Sequence, residues 1–362
     1  MTRFAILTPH LTTGDAVSND VVGMLRVLEK HGYEARLFAG SADFSEPRVW
    51  ALAEIQDFLL SEDDVLIYHH SFGWDIGIDL LQQLKCRTVI KYHNVTPAEF
   101  FTGISAWHEE KCVEGQRQLE FIAAADYEAY LSDSAYNMRQ LVGLGADAAR
   151  NFVVPPFHKI DSLHALHPDE NTLEMYRDGK TNVLSVSRVV PHKNQRTLIE
   201  AFAIYHHYYN SKSRLLIIGR EEKPFENYSD QLRQLIAFLV LDGAVVFAGE
   251  VSDAALKAYY LLSNVFLFTS KHEGFSVPLV EAMAMKVPTV SYGAAAVPET
   301  VAAAGIVLDE LDPEKLAKAV DIVVRDEAIN VALGLSGWHR YQQNFTNSRT
   351  ETLFLRSLGL EC

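Results

Sequence analysis

The chain has 362 residues, of which 48% are hydrophobic and 22% charged, a composition typical of a folded protein whose core is divided between two domains. Its net charge of −15 argues against a nucleic-acid partner, so a polyanionic ligand would need a local basic pocket. Three scattered cysteines, Cys86, Cys112 and Cys362, fit neither a disulfide framework nor a zinc site and favour a reducing cytoplasm.

The first half of the chain alternates short apolar strands with helical segments, which is the pattern of a doubly wound sheet. The first strand starts close to Met1, which leaves no room for a signal peptide, and no apolar run reaches the roughly 18 residues of a membrane span. We therefore expect a cytoplasmic protein, with transient contact at the inner membrane surface left open. The predicted strands are residues 3–7, 33–38, 65–68, 87–90, 126–132 and 151–154.

Two loops of this half carry candidate ligand-binding residues. Gly14 and Asp15 follow the first strand and precede a helix, so their amides are expected at the carboxyl edge of a parallel sheet. A plain turn explains a single glycine equally well. His93 follows the strand at residues 87–90 and is expected to face a crevice. A lone histidine is more often structural, and other histidines at strand ends weaken this signal.

A linker and a second set of alternating elements follow. Residues 157–180 are polar, rich in histidine and without a clear period, so they are predicted to connect the two halves. From Thr181 onward, strands and helices alternate again with similar wiring. No close sequence repeat relates the two halves.

The stretch from Ser270 to Ala284 is the most informative part of the second half. An apolar strand leads into a loop and then a helix start, with Gly274 expected to allow a tight turn and Pro278 suited to the first helical turn. The free amides at such a helix end favour an anion, above all a phosphate. These amides belong to Val277, Leu279 and Val280.

Charged residues surround this predicted phosphate site. Glu273 stands before the turn and Glu281 lies inside the helix, so the two carboxylates can hold the hydroxyls of a sugar and of a ribose. Arg188 and Lys193 follow the strand at residues 182–186 and come to the same sheet edge, where they can bind a diphosphate. Together these residues indicate a nucleotide-sugar site; the alternative is that the two cations are solvated loop residues.

The chain contains no D-x-D carboxylate pair of the kind that holds a diphosphate-bridging metal ion. Cations of the protein can stabilise a departing diphosphate in place of a metal. We therefore expect no metal and no cofactor besides the nucleotide-sugar itself.

With these residues in view, the chain resembles the retaining glycosyltransferases of family 4, which have the GT-B fold, and more closely their bacterial exopolysaccharide members. The resemblance covers nearly the whole chain. It implies an α/β protein in which two Rossmann-like domains face each other across a cleft. The implied domains are residues 1–165 with a C-terminal helix at about 346–362, and residues 166–345. The shared features are the E-x7-E motif from Glu273 to Glu281, the R-x4-K motif from Arg188 to Lys193, the segment Phe247–Val251, and His93.

The resemblance also implies a role for each site residue. Arg188 and Lys193 bind the donor diphosphate, and Glu281 takes the ribose hydroxyls. Glu273 contacts the donor sugar, and His93 lies beside it. Further donor contacts are implied at Gly14 and Asp15, around the base at Gly219, Arg220 and Val251, and along Gly274, Phe275, Ser276, Val277, Leu279 and Val280. One departure is Ser187, where many relatives have glycine, and it bears on how closely the backbone approaches the diphosphate.

The implied reaction moves a hexose from a nucleotide-sugar to a glycan or a lipid-linked saccharide in polysaccharide biosynthesis, with UDP-glucose as the expected donor. No residue stands out as the carboxylate nucleophile of a double displacement. The expected mechanism is therefore attack on the same face, in which the departing diphosphate takes the acceptor proton. The alternatives are a glycoside hydrolase that uses Glu273, a nucleotide-sugar-binding protein without turnover, and a nucleotide-sugar epimerase of the same fold.

Overall fold

The structure, a computed structural model, describes residues 2–360. Glu361 and Cys362, which end the predicted C-terminal helix, lie outside the described residues. The chain divides into two compact units. Among the described residues, unit 1 contains residues 2–99, Trp107–Lys159 and residues 346–360, and unit 2 contains Phe100–Ala106 and Ile160–Phe345.

The boundaries of the units differ from the expected ones at two segments. Residues 100–106 and 160–165, expected in the first domain, belong to unit 2. Phe101 explains the first difference, because its ring packs against His192 and Phe225 at centroid distances of 5.9 and 5.8 Å. Ile160 explains the second, because it is fully buried in a core of unit 2.

Unit 1 is an α/β unit built on a parallel sheet. Its strands are β1 (Arg3–Leu11), β2 (Glu34–Ala42), β3 (Val49–Trp50), β4 (Val65–His70), β5 (Arg87–Tyr92), β6 (Ala129–Ser132) and β7 (Asn151–Val153). Within residues 2–360 they form a seven-stranded sheet in the order β3-β2-β1-β4-β5-β6-β7. The helices of this part are α1 (Ala16–Lys30), α2 (Ile55–Phe58), α3 (Asp75–Gln83), α4 (Ala106–Ala124) and α5 (Ala135–Gly143). All six residues of β4 are buried, as expected for an inner strand with both faces covered.

Unit 2 repeats this architecture with a second parallel sheet. Its strands are β8 (Thr181–Val186), β9 (Ser213–Ile218), β10 (Val245–Gly249), β11 (Val265–Phe268), β12 (Thr289–Tyr292) and β13 (Gly305–Leu308). The six strands found in the described part of the chain follow the order β10-β9-β8-β11-β12-β13. The predicted α/β class with two doubly wound sheets is thus confirmed.

Ten helices lie in the rest of the described chain. Those in unit 2 are α6 (Ile160–Ala165), α7 (Glu170–Tyr176), α8 (Gln195–Ile204), α9 (Glu226–Phe238), α10 (Asp253–Leu262), α11 (Val277–Ala284), α12 (Val297–Val301), α13 (Pro313–Arg325) and α14 (Glu327–Asn344). The last helix, α15 (Asn347–Ser357), lies in unit 1. The predicted linker at residues 157–180 contains α6 and α7, which are too short to show a period in the sequence. Asp169 begins α7, because its carboxylate accepts from the amide of Thr172.

Helix α15 packs onto the core of unit 1. Phe354 and Leu358 are buried there, and the ring of Phe354 meets that of Phe157 edge-on at 6.1 Å. At the helix surface, Glu351 pairs with Lys30 at the end of α1 at 2.7 Å. The residues that follow Phe345 therefore add a helix to unit 1 rather than to unit 2.

The strand order of each sheet reverses at one position, and this positions the candidate site. In unit 1 the reversal lies between β1 and β4, and in unit 2 between β8 and β11. Ligands of doubly wound proteins bind outside the carboxyl ends of the strands at such a position. None of the helices within residues 2–360 combines the length and the apolar character needed to cross a membrane.

Candidate functional site

Backbone contacts join the loops that follow β8 and β11 in unit 2. The amide of Lys271 donates to the carbonyl of His192 at 2.8 Å. The hydroxyl of Thr269 donates to the carbonyl of Asn194 at 3.1 Å. Asn194 adopts a left-handed conformation with a φ of 56°, which turns the chain from this loop into α8. The reversal of strand order thus brings the R-x4-K and E-x7-E segments together.

Lys193 and Glu273 form the central ion pair of this region. The ammonium of Lys193 lies 2.6 Å from Glu273 Oε1, and the two side chains are 18% and 8% exposed. Close by, burial lowers the pKa of His272 to about 4, so its imidazole is neutral at pH 7. The sequence predicted a shared edge for Lys193 and Glu273; the direct bond between them comes from the structure.

Helix α11 begins at Val277 with Pro278 in its first turn, as predicted. The left-handed residue before it is Ser276, with a φ of 80°, rather than Gly274, on which the sequence analysis placed the tight turn. The side chain of Ser276 makes no cap to α11, and its buried hydroxyl has no hydrogen-bond partner within the described residues. The amino end of α11 therefore keeps its capacity to bind an anion.

The side chains around this helix start are fixed by burial. Leu279 and Val280 are fully buried, main chain included, so their contact with a donor remains a prediction. Phe275 packs edge-on against Phe345 at 5.4 Å, and its carbonyl accepts from the hydroxyl of Thr300 at 2.9 Å. The carbonyl of Glu273 accepts from the amide of Ala296 at 3.2 Å. The loop from Glu273 to Ser276 is thus held by α12 and the segment before it.

Glu281, the predicted ribose ligand, is held by a tyrosine. The hydroxyl of Tyr260 donates to Glu281 Oε2 at 2.7 Å, and both residues are buried. Burial and the nearby Glu281 carboxylate raise the pKa of Tyr260 well above its ordinary value, so the phenol stays a donor. This contact was not predicted, because no spacing in the sequence gives a signal for it.

The loops after β8, β9 and β10 are joined through main-chain atoms. Ser187 donates to Ile218, and Gly219 donates to Gly249, each at 2.9 Å. A Cβ on Gly219 would lie 1.9 Å from the carbonyl oxygen of Ser187, and its φ of 143° also favours glycine. The backbone of Gly219 thus packs directly against the backbone of Ser187. Val251 follows β10 and is half-buried.

Arg188 and Arg220 share one acidic partner. Glu222 Oε1 lies 3.1 Å from Arg188 and 3.7 Å from Arg220. The Arg188 side chain is 51% exposed, and the side chain of Gln195 fixes its main chain by donating to the Arg188 carbonyl at 2.8 Å. The structure therefore bonds Lys193 to Glu273 and Arg188 to Glu222, a partner that sequence analysis did not identify.

In unit 1, the loop before α1 is organised by its own residues. Gly14 has a φ of 81°, and Asp15 caps α1 by accepting from the amide of Ser18 at 3.0 Å. The carboxylate of Asp15 thus already occupies the amino end of that helix. Its predicted contact with the donor remains a prediction.

His93, the other candidate of unit 1, is held on both sides of its ring. Nδ1 lies 2.9 Å from Asp133 Oδ2, and Nε2 lies 2.8 Å from His69 Nδ1. Sequence analysis treated His69 as background, because a strand-end histidine gives no sign of its partner. The pairing depends on β4 and β5 being neighbours in the sheet.

Comparison with known proteins places these features in a family. Residues 175–337 match the family model of glycosyl transferases group 1. O-antigen chain mannosyltransferase B of Escherichia coli is 28% identical over 174 residues, which cover 47% of this chain and 44% of that protein. D-inositol 3-phosphate glycosyltransferase of Acidothermus cellulolyticus is 27% identical over 327 residues, covering 86% of this chain and 69% of that protein. The chain thus spans less than half the length of the first of these relatives.

Solved structures agree with the fold. HepE of Anabaena, in a complex with UDP and glucose, superposes with a TM-score of 0.79 at 16% identity, covering 99% of this chain and all of that one. This likeness shows that the chain has the GT-B fold. The part of the chain that matches the model of group 1 glycosyl transferases, residues 175–337, carries the Lys193–Glu273 pair and the start of α11.

Proposed function

We propose that the chain is a retaining hexosyltransferase of glycosyltransferase family 4 that moves a sugar from a nucleoside diphosphate to a glycan or lipid-linked saccharide during polysaccharide biosynthesis. The observation that carries the proposal is the Lys193–Glu273 ion pair, 2.6 Å long, beside the uncapped amino end of α11. A cation and a helix end together suit a diphosphate, and a carboxylate beside them suits sugar hydroxyls. The family match of residues 175–337 supports the same interpretation.

In the proposed reaction, the bond between the anomeric carbon and the diphosphate breaks while the acceptor oxygen bonds to the same face. The acceptor proton passes to the departing phosphate oxygen. Lys193 has three N–H donors, so it can keep its bond to Glu273 and also donate to a phosphate oxygen. Positive charge placed where the diphosphate gains charge lowers the barrier. Glu273 orients the donor sugar, and Glu281, held by Tyr260, takes the ribose.

UDP-glucose is the first donor we propose, and HepE, which has the same fold, was solved with UDP and glucose. A nucleoside diphosphate mannose is the second candidate, because a relative matching 47% of this chain is a mannosyltransferase. A nucleotide-sugar bound only by the folded protein raises its Tm, so a thermal-shift screen of UDP- and GDP-sugars separates the two. Metal independence, cytoplasmic location and transient membrane contact remain predictions.

Transfer is tested by measuring nucleotide release and the glycosylated product with each donor and a panel of saccharide acceptors. We expect Lys193→Ala and Glu273→Gln to lower kcat by at least about a hundredfold while the Tm changes little, since one electrostatic donor is typically worth that much. Exposed Lys271, on the same loop, serves as the control in Lys271→Ala, which should keep its activity. A Lys193→Ala enzyme with most of its activity would contradict the assignment.

The same assay separates the remaining alternatives. A glycoside hydrolase would release sugar without nucleotide and would need a second carboxylate roughly 5 to 9 Å from Glu273. A binding protein would release nothing from the donor, and an epimerase would change the sugar without cutting its bond to the diphosphate. Product with the α or β linkage of the donor, read by NMR, tests retention.

A further inference from the structure

Five polar side chains meet at the carboxyl edge of the sheet in unit 1. His69 comes from β4, Lys91 and His93 lie at and after β5, Asp133 follows β6, and Asp20 comes from α1. Their side chains are at most 6% exposed. We call these five residues the His93 network. Buried ionisable groups persist only when their charges and hydrogen bonds are matched, so the pairing pattern reports the protonation state.

The ring of His93 uses both nitrogens inside this network. Asp133 Oδ2 lies 2.9 Å from Nδ1, and a carboxylate only accepts, so Nδ1 carries a hydrogen. Nε2 lies 2.8 Å from His69 Nδ1. The carboxylate of Asp133 is itself fixed, because its other oxygen lies 2.7 Å from the ammonium of Lys91.

The direction of the His69–His93 bond follows from charge and burial. Burial lowers the pKa of His69 well below its ordinary value, so this ring is neutral and carries one hydrogen. If His69 Nδ1 donates to His93, then Nε2 of His69, which has no partner within residues 2–360, carries only a lone pair. If His93 donated instead, it would be a buried cation, and His69 would bury an N–H without an acceptor. The arrangement in which His69 donates therefore has the lower free energy.

The remaining charges balance in the same arrangement. The positive charge of Lys91 is matched by the negative charge of Asp133. The charge of Asp20 remains to be assigned; its Oδ2 lies 3.6 Å from Lys91 and 3.7 Å from His93 Nε2. Burial raises the pKa of the Asp20 carboxyl, which favours its neutral form. His70, the next residue of β4, turns Nε2 toward the carbonyl of Gly115 at 3.0 Å and adds no charge, since burial lowers its pKa to about 4. With Asp20 in its neutral form, the charges of Lys91 and Asp133 cancel without any charge on the ring of His93.

We propose that Asp133, Lys91 and His69 are positioning residues that hold His93 in its Nδ1–H tautomer with both ring nitrogens occupied, so that His93 is not the base of the transfer reaction. The proposal rests on the proposed function, since the place of His93 beside the sugar is implied by family resemblance alone. It gives a structural reason for the same-face mechanism. With no ring nitrogen to receive the acceptor proton, the departing diphosphate is the group left to take it.

Asp20, His69 and His93 also have the composition of a metal site, with one ligand atom each within 4.8 Å of the others. Two features favour hydrogen bonds over a cation. His69 Nδ1 and His93 Nε2 stand at hydrogen-bond distance, and the positive Lys91 ammonium lies 3.6 Å from Asp20 Oδ2, where it disfavours a second cation. The proposal therefore predicts that the full chain takes up no zinc at this network.

Substitution of His69 tests whether its side chain acts by donating a hydrogen bond to His93 or only by filling space. In His69→Asn, the side-chain amide takes the place of Nδ1–H and can still donate to His93, whereas His69→Leu fills the space without a donor. We expect His69→Leu to lower kcat at least about tenfold with an unchanged Kd for UDP. We expect His69→Asn to recover most of that loss. Circular dichroism and Tm report whether each variant is folded.

Nitrogen NMR on histidine-labelled full-length protein tests the network without any activity. The His93 signals, assigned by their loss in His93→Gln, should show the Nδ1–H tautomer between pH 5.5 and 8, and should move in Asp133→Asn and His69→Leu. A His93 that titrates in this range, that has its hydrogen on Nε2, or that shifts on addition of zinc chloride overturns the proposal. Wild-type kcat in a folded His69→Leu enzyme also overturns it. A protein without transferase activity but with the fixed tautomer would refute the proposed function and leave the network standing.

Discussion

Glu222 is an internal anion at the place where a donor diphosphate is expected. Its carboxylate lies 3.1 Å from Arg188 and 3.7 Å from Arg220 and is 17% exposed. The Arg188 side chain is half exposed, so the pair is a weak one that a ligand can break. A diphosphate that binds Arg188 has to displace this carboxylate or lie beside its negative charge. We therefore expect Glu222 to set part of the donor affinity.

We predict that Glu222→Gln binds UDP about two- to tenfold more tightly at 50 mM salt, with a smaller gain at 500 mM, because screening weakens exposed charges. Isothermal titration calorimetry measures both. Glu221→Gln is the matched control, because Glu221 pairs with Arg233 at 2.8 Å instead. Weaker binding in Glu222→Gln would mean that Glu222 orients Arg188 rather than competing for it.

The turn before α11 shows what a local pattern misses. The tight turn was predicted at Gly274, because glycine adopts positive φ most easily, yet the φ of 80° is at Ser276. A non-glycine residue keeps such a conformation only when surrounding contacts fix it. Here the carbonyls of Glu273 and Phe275 are held by Ala296 and Thr300, more than twenty positions along the chain. No local pattern contains that information.

Among the elements, the arrangement of the loops that follow β8, β9 and β10 depends on Gly219. Gly219 brings two loops into backbone contact, and a side chain at this position would meet the carbonyl of Ser187 at 1.9 Å. The loop that carries Arg188 is bonded to the same segment, since Val189 donates to the carbonyl of Arg220 at 3.0 Å. The geometry of the predicted donor site thus depends on a close approach between elements.

Gly219→Ala is expected to destabilise unit 2 by about 3 kcal/mol and to weaken UDP binding at least tenfold, because backbone has to move to admit the methyl group. Gly243→Ala is the matched control, since Gly243 also has a positive φ, 78°, but has open space around it. That control should lose about 1 kcal/mol and keep its UDP affinity. Denaturant titration and calorimetry measure the two effects. Equal losses in both variants would show that strain in φ, and not the contact, explains Gly219.

Most of the helices and strands were predicted from the sequence. Helices α13 and α10 belong to the alternation predicted from Thr181 onward, and each has a clear cap and an apolar stripe. Helices α6 and α7 were missed, since six and seven residues are too few to show periodicity. The extra residues of β1, up to Leu11, were missed because Pro9 and His10 interrupt its apolar pattern.

At the scale of the whole molecule, buried neutral histidines make stability depend on pH. His70 in unit 1 and His272 in unit 2 each have a pKa lowered to about 4 by burial. The unfolded chain binds a proton at each below about pH 6.5, whereas the folded chain resists until about pH 4. The unfolding free energy is therefore fully present above pH 6.5 and falls as the pH drops toward 4.

The predicted loss is about 3 kcal/mol for each histidine across that range, and urea titrations at pH 7.5, 6.5, 5.5 and 4.5 measure it. His70→Gln should flatten the pH dependence of unit 1, because its amide can keep the bond to the Gly115 carbonyl without titrating. His207→Gln is the control, since the exposed His207 makes a similar bond to the Leu239 carbonyl. An unchanged slope in His70→Gln would contradict the role of His70.

The sequence by itself determined the class of the molecule and predicted the position of its candidate site. Alternating strands and helices specified two doubly wound sheets, and the residues that follow β8 and β11 predicted where a phosphate-binding edge would form. These properties are local, since a strand, a loop or a helix start depends on residues near it in the chain.

The tertiary structure decided which side chains became partners. Tyr260 holds Glu281 from 21 positions away, His69 holds His93 from 24, and Glu222 pairs with Arg188 from 34. Each of these pairs exists because the strand order places two loops side by side, and that order depends on how whole sheets bury their faces. Hydrogen bonds between buried or half-buried side chains follow from that packing, which no spacing in the sequence encodes.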